Sequence, residues 1–509
     1  MHSFNKRSSY ALFLYLTAYC VGTAGRVTIN ILPDDVLLLI FYFDQAVYVD
    51  GLGEDGRLWH PPWRWHRLVH VCRRWRSVVF GPPKFLDLRL VCGPRTRVQF
   101  TGIWPPFPII IRNWTFVPMP EDYDFDAAIV PHNSVCEINL SYITRSQLQQ
   151  LTSAMLVQFP ALIHLKLVYK GRPWRPAPAL PDGFLGRSAP RLQSLQLNAI
   201  AYPALSKLLL SATNLVYLTL PNTPLSEYFL PETLVTCLAV MANLKSFFIG
   251  FSQYLSTSFL SDLMESRRPP PKTRNVLPAL TRFEFEGECE YLEDVLARID
   301  ATFLDSIWIT FVQTFISDFP QLAQFMRRTT RFQDFKEVHV DFNDFDGILV
   351  ASLPPDTQAF DKKSGLRMGD WRISSLTEAI TWFIPYIYMV EDLYLYRPGC
   401  SPTGRGYVED MYMDWLELFR LFTGVKNLYV VKEISESIAF ALQKLVGEDL
   451  FPALENIFLE DLQSPVQEAI GPFVAARQLL GRPVAVSHWT LGYVRRCFMA
   501  LLGHVGGGP

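Results

Sequence analysis

The sequence predicts an α/β fold in which a small N-terminal helical module precedes a long stack of parallel strands, with the strands inside and helices outside. Three observations predict it. A six-residue frame, apolar-x-x-apolar-x-apolar, recurs about eleven times between Val135 and Leu459. Amphipathic helical stretches lie between several of the frames. Two apolar segments with helical spacing, within Ile31–Val79, stand ahead of the first frame.

At 509 residues the chain is long enough for two or more domains, unless a repeat architecture lets one domain grow. Hydrophobic residues make up 49% and charged residues 19%, a globular composition that excludes a mostly disordered chain. The formal charge of −2 supplies no basic stripe for phosphates, so no nucleic-acid partner is expected. Eight cysteines lie scattered without a C-x-x-C pair, the usage of a reducing compartment.

Residues 1–26 form an apolar segment: Lys6 and Arg7 precede the run Tyr10–Val21, and Gly22, Thr23, Ala24 and Gly25 follow. This is the layout of a signal peptide, and the run is short for a membrane span. The sequons at Asn113 and Asn139 fit the same secretory reading. Residues 27–92 make the helical module. Pro33 suits a first helical turn, and Asp34 and Asp35 sit at the positive end of the helix dipole. Val36, Leu37, Ile40 and Phe41 follow at helical spacing. Further on, Leu68, Val71, Cys72, Trp75, Val78 and Val79 share a face, with Arg73, Arg74 and Arg76 mostly opposite. Residues 46–64 are a loop inserted between these helices, and residues 93–130 read as a linker.

The frames then begin. They run Val135-Ile138-Leu140, Leu162-Leu165-Leu167, Leu192-Leu195-Leu197, Leu215-Leu218-Leu220, Leu244-Phe247-Ile249, Leu280-Phe283-Phe285 and Leu304-Ile307-Ile309. Phe335-Val338-Val340, Val390-Leu393-Leu395, Val425-Leu428-Val430 and Leu454-Ile457-Leu459 complete the series. Most neighbours lie roughly 23 to 36 residues apart, close to the period of leucine-rich repeats, and Asn is mostly missing from the usual turn position, so the repeats are irregular. Each frame places its apolar residues in a shared core and its intervening residues on a concave surface. Ser146–Phe159, Thr233–Met241 and Ser437–Val446 supply outer helices. Gly171–Gly183 and Ser266–Thr273 are proline-rich loops, and Leu353–Asp370 is a polar insert in the longest gap. Val466–Leu480 reads as a closing helix. The repeat domain spans 131–482, and 483–509 form its cap and tail.

The segments LPDDVLLLIF, VCRRWRSVVF and FLDLRL, in that order, resemble an F-box, the helical module that docks a protein onto the Skp adaptor of cullin-based ubiquitin ligases. The inserted loop is longer than the family's usual link. LRLVCGPRTRV, WPPFPIIIR, FPALENIF and GRPVAVSHW also resemble the F-box proteins of mushroom-forming fungi. The resemblance implies a non-enzymatic adaptor in the cytoplasm or nucleus. It would hold a Skp-family protein, and through it a cullin, while the repeats bind an unidentified protein substrate. For the adaptor the expected contacts are Leu32, Pro33, Val36, Leu37, Ile40, Val71, Cys72 and Trp75, with Trp75 the main anchor. The competing expectation is a secreted or membrane-directed repeat protein that binds proteins without any ubiquitin role.

Elsewhere the chain offers little chemistry. Gly51-Leu-Gly-Glu-Asp-Gly56 has a dinucleotide-binding spelling, but Pro61 and Pro62 follow where a helix must start, and Glu54 and Asp55 would repel a pyrophosphate. His66 and His70 have the spacing of a helical metal pair, yet Arg67 stands where a zinc protease carries Glu. No cofactor, metal or catalytic residue is expected. The single residue between the last two apolar members of each frame is the informative position. These residues run Asn139, Lys166, Gln196, Thr219, Phe248, Glu284, Trp308, His339, Tyr394, Tyr429 and Phe458. Aromatic types cluster late, so Trp308, His339, Tyr394, Tyr429 and Phe458 are the expected substrate face.

Overall fold

A computed structural model describes residues 32–46, 68–81, 88–93, 107–113, 119–171, 178–224, 230–251, 273–311, 319–342, 346–352, 364–369, 373–384, 386–396, 412–444, 450–460 and 464–489. Residues 1–26, the glycine-rich spelling at 51–56, His66 and the proline-rich loop 266–272 lie outside them. The chain divides into two compact units, Met1–Ile111 and Arg112–Pro509.

In the first unit, helix α1 (Asp34–Ala46) begins on two acidic residues, and Leu37 N–H donates to the Pro33 carbonyl at 3.1 Å. Helix α2 (Arg73–Phe80) is capped by the Cys72 thiol, which accepts from Trp75 N–H at 3.4 Å. Arg74 Nη2 pairs with Asp34 Oδ1 at 2.7 Å and also donates to the Leu32 carbonyl, tying the start of α2 to the start of α1. Leu37, Phe41, Val69, Val78 and Val79 form the core of this unit. Two short strands, β1 (Leu90–Cys92) and β2 (Ile109–Arg112), pair in parallel with Leu90 opposite Ile109. The stretch 93–130 is therefore not a plain linker. Its apolar run Ile109-Ile110-Ile111 is fully buried as a strand, and helix α3 (Phe125–Ile129) follows, capped by Asp124.

The second unit is built on one long sheet with a separate two-stranded pair beside it. After strand β3 (Val135–Ile143) and helix α4 (Arg145–Ala154), strands β4 (His164–Tyr169) and β5 (Ser194–Asn198) lead to helix α5 (Leu205–Ser211). Then come strand β6 (Tyr217–Thr223), helix α6 (Pro231–Ala239), strands β7 (Ser246–Phe251), β8 (Asn275–Val276) and β9 (Arg282–Gly287), and helix α7 (Cys289–Arg298). Strands β10 (Ile299–Asp300) and β11 (Ser306–Phe311), helix α8 (Pro320–Arg328), strands β12 (Glu337–Phe342), β13 (Asp346–Ser352) and β14 (Ser364–Gly369), and helix α9 (Ile373–Phe383) follow. The unit closes with strand β15 (Asp392–Tyr396), helix α10 (Tyr412–Leu421), strand β16 (Asn427–Val430), helix α11 (Lys432–Lys444), strand β17 (Asn456–Leu459), helix α12 (Ser464–Leu479) and strand β18 (Ala485–His488). From β3 the sheet order is β3-β4-β5-β6-β7-β9-β11-β14-β13-β12-β15-β16-β17-β18, while β8 and β10 make a separate pair. Helices α5 to α12 lie side by side, each packed on the next.

Every apolar frame member forms part of one core. Leu140, Leu165, Leu167, Leu195, Leu218, Phe247, Phe283, Ile307, Val338, Leu393, Leu428 and Ile457 are each 1% exposed or less. Burying a Leu side chain in this way stabilises by about 1.5–3 kcal/mol, and the strand's period of two sends the intervening residues to the other face.

Three expectations change here. Helix α4 stops at Ala154, well short of Phe159, because Met155 closes the last turn by donating to the Leu151 carbonyl and Pro160 lies just ahead. The polar insert 353–370 is more than a loop, since its end, Ser364–Gly369, is β14. With β13 it forms antiparallel partners wedged between β11 and β12, and Leu366 is buried in the sheet. The closing helix α12 does not end the repeats either. β18 pairs with β17 beyond it, so the stack runs past residue 482.

Candidate functional site

Strand register places the eleven intervening residues in a single row. Asn139 lies opposite Lys166, then Gln196, Thr219, Phe248, Glu284 and Trp308. From Trp308 the row passes through Gly365 of β14 and Val350 of β13 to His339. It continues through Tyr394, Tyr429 and Phe458 to Ser487 of β18. Gly365, Val350 and Ser487 are members of the row that frame spacing did not reveal.

The late part of the row is a stack of rings. His339 and Tyr394 have centroids 4.4 Å apart, Tyr394 and Tyr429 4.2 Å, and Tyr429 and Phe458 4.6 Å, with interplanar angles of 11° or less. Parallel strands about 4.8 Å apart impose this spacing, so rings at equal register must stand on edge and face one another. His339 Nδ1 lies 3.0 Å from the Tyr396 hydroxyl, which fixes the imidazole plane. Burial pushes the Tyr394 and Tyr429 hydroxyls above the ordinary phenol range, so both stay neutral donors.

The expected aromatic face narrows as a result. Trp308 and His339 are buried, 8% and 3% exposed, and they are not free contact positions. The Trp308 ring lies over Gly365, where an added Cβ would come within 2.2 Å of it. Tyr394, Tyr429 and Phe458 remain half-exposed. Trp489, which the repeat pattern could not place, packs edge-on against Tyr394 and Tyr429 at 6.2 and 5.4 Å and donates to the Val430 carbonyl at 3.1 Å.

Two polar rows run beside the rings. One step back along the strands, Lys336 and Lys426 both bind Glu391 at 2.9 Å, and their donated hydrogen bonds hold its carboxyl below the ordinary range. On the same face as the rings, Asn456 donates to Asn427 at 2.8 Å and Asn427 donates to Asp392 at 2.7 Å. Burial raises the Asp392 carboxyl despite that bond, and Glu337 and Glu391 add to the effect.

In the first unit the expected adaptor contacts divide. Leu37 is fully buried in the core of the helix pair, and Trp75, partly buried, packs on Phe41 with centroids 4.7 Å apart and the rings tilted by 55°. Cys72 is a helix cap. Pro33 and Val71 are exposed, while Leu32, Val36 and Ile40 are half-buried. Leu39 and Tyr42, each 53% exposed, were not singled out by the sequence pattern, although both are large side chains on the outer side of α1.

Other sequence signals resolve more simply. Asn113 is buried: it donates to the Ser141 carbonyl at 2.6 Å and accepts from Ser141 N–H at 2.7 Å, so a glycan there is incompatible with this packing. Burial pushes the Cys92 thiol up to about 12 and that of Cys237 to about 11, the behaviour of small core residues and not of nucleophiles. Among the described residues no group of three His, Cys, Asp or Glu is placed to hold a metal ion. Among them no helix is long and apolar enough to cross a membrane.

No family model matches the chain. No curated protein sequence matches it either. Among solved structures, the leucine-rich-repeat-containing protein LegL7 from Legionella pneumophila is similar over 70% of this chain and 96% of its own, at 13% identity and a TM-score of 0.27.

Proposed function

We propose that the second unit is a protein-binding repeat module whose recognition surface is the late part of the register row, centred on Tyr394, Tyr429 and Phe458. The observation that carries this reading is the in-register ring stack. Half-exposed aromatic side chains held rigidly on a sheet bind a partner with little further loss of rotamer freedom. Enzymatic chemistry has no comparable support, and the chain is read as a positioning protein that contributes no catalytic group.

The finer reading joins this module to the first unit as an F-box, which makes the chain the substrate-recognition adaptor of a Skp–cullin–F-box ubiquitin ligase. What supports it is the ordered Leu-Pro-Asp-Asp and Val-Cys-Arg-Arg-Trp segments and the apolar side chains left outward on a folded helix pair: Leu39, Tyr42 and Val71. Co-precipitation tests it. Leu39→Arg with Val71→Arg changes two exposed side chains, an unchanged far-UV circular dichroism spectrum shows that the helix pair stays folded, and capture of the Skp-family adaptor is expected to fall at least about tenfold, as loss of interface anchors does. Full adaptor capture by that double variant, or none by the unaltered chain, removes the ligase reading and leaves the binding module standing.

A further inference from the structure

Among the described residues, only the small side chains of β18 stand beside the outer end of the ring stack. Phe458 gives its inner face to Tyr429, and its register neighbour on the outer side is Ser487, a small exposed residue. One step along the same face, Asn456 lies opposite Ala485, again small and exposed. A notch therefore runs over β18, with Asn456 and Phe458 as its wall.

The hydrogen bonds fix what this wall presents. Asp392 in its charged form only accepts, so Asn427 must turn its amide nitrogen to it and its amide oxygen to Asn456. Asn456 must then donate its own nitrogen to Asn427, which leaves its Oδ1 as the outward end of the chain. Each donation toward the carboxylate strengthens the next acceptor, so this Oδ1 is a stronger acceptor than an isolated amide. The neighbouring charged row points the same way. Backbone hydrogen bonds link equivalent positions Lys336, Glu391, Lys426 and Glu455, whose charges alternate, and the next position, Val484, carries none. Glu455 is exposed at that end of the row, with the Lys426 charge on one side of it and the uncharged Val484 position on the other.

We propose that this notch takes an arginine side chain of a protein partner: the guanidinium stacks on the outer face of Phe458, donates to Asn456 Oδ1, and is attracted from the rim by Glu455. An aromatic side chain would use the ring but leave the Asn456 acceptor unmatched. A lysine supplies charge without the flat face and the fixed fork of donors. The inference rests on the repeat-module reading and names the chemistry of its partner.

The test uses the full chain and fluorescein-labelled Gly/Ser peptides carrying two arginines, two lysines or two citrullines, with affinity read by fluorescence anisotropy at low salt. The arginine peptide is expected to bind at least about tenfold tighter than the citrulline peptide, and tighter than the lysine peptide. Phe458→Leu removes the stacking face. Ser487→Phe plugs the notch from the β18 side while leaving the stack and the amide chain intact. Both should abolish the arginine preference, and Lys166→Ala, at the other end of the row, should preserve it. Equal binding of the arginine and citrulline peptides, or an arginine preference that survives Ser487→Phe, overturns the inference. Partner capture that still depends on Tyr394 and Tyr429 would then keep the repeat-module reading, whereas capture indifferent to both removes that reading itself.

Discussion

Between β3 and β6 the register row carries Asn139, Lys166, Gln196 and Thr219, while between β12 and β17 it carries His339, Tyr394, Tyr429 and Phe458. Beneath both stretches the core is the same kind of surface, with Leu140, Leu167 and Leu197 in one and Val340, Leu395 and Val430 in the other, all buried. The backbone accepts either set because the side-chain period of two isolates the open face from the core. What differs is order. Rings at equal register on the late strands stack on one another, a packing that the polar side chains of the early strands cannot make. The early half shows what the repeat needs in order to fold, and the late half shows what has been added to it.

The largest expected effects should be blind to this difference. Leu167→Ala and Leu395→Ala each remove a fully buried side chain and should cost about 2–5 kcal/mol by urea denaturation, with the two values close together. A large gap between them would mean that the halves do not share one kind of core. The next effect should separate the halves. Tyr394→Ala breaks contacts with two stacked neighbours and should cost about 1–3 kcal/mol, since each aromatic pair contributes about 0.5–1.5 kcal/mol beyond its burial. Lys166→Ala at the equivalent position should stay within about 0.5 kcal/mol. Equal losses at the two sites would show that the stack adds no stability.

The smallest effects are expected in pH dependence, where adjacent residues of the late half oppose each other. Glu391 is held low by hydrogen bonds from Lys426 and Lys336, so its contribution is present above the ordinary carboxylate value and is lost as pH falls through its folded value. Asp392 is raised by burial, so its contribution is present below the ordinary value and is lost as pH rises through its folded value. Glu391→Gln should therefore flatten the loss of stability in acid, and Asp392→Asn should raise stability at neutral pH relative to acid. Urea midpoints measured across the carboxylate range check both signs. The same slope for both variants would contradict the assignment.

The repeat frames were legible because a strand core leaves a short, periodic signature: Leu165, Leu218, Leu393 and Ile457 could each be assigned to the interior from spacing alone. The row of intervening residues followed from the same spacing. Burial within that row did not. Trp308 and His339 look like Tyr394 in sequence, yet they are covered, because the antiparallel pair β13 and β14 enters the sheet beside them and Gly365 lets the indole lie down. Trp489 stands outside any frame and reaches the stack only because β18 turns back onto β17. In the first unit the apolar pattern of the helix pair named Leu37 and Trp75 together with Val36 and Ile40, and it could not tell the inward side chains from the outward ones.

By itself the sequence determined the α/β repeat class, the core and the order of side chains along the open face, because each depends on spacing within a few residues. Which of those side chains face solvent, and where the sheet takes in an extra strand pair, were decided by the tertiary structure. Those outcomes depend on contacts between segments far apart in the chain, such as Trp308 with Gly365 and Trp489 with Tyr429, which local spacing does not encode.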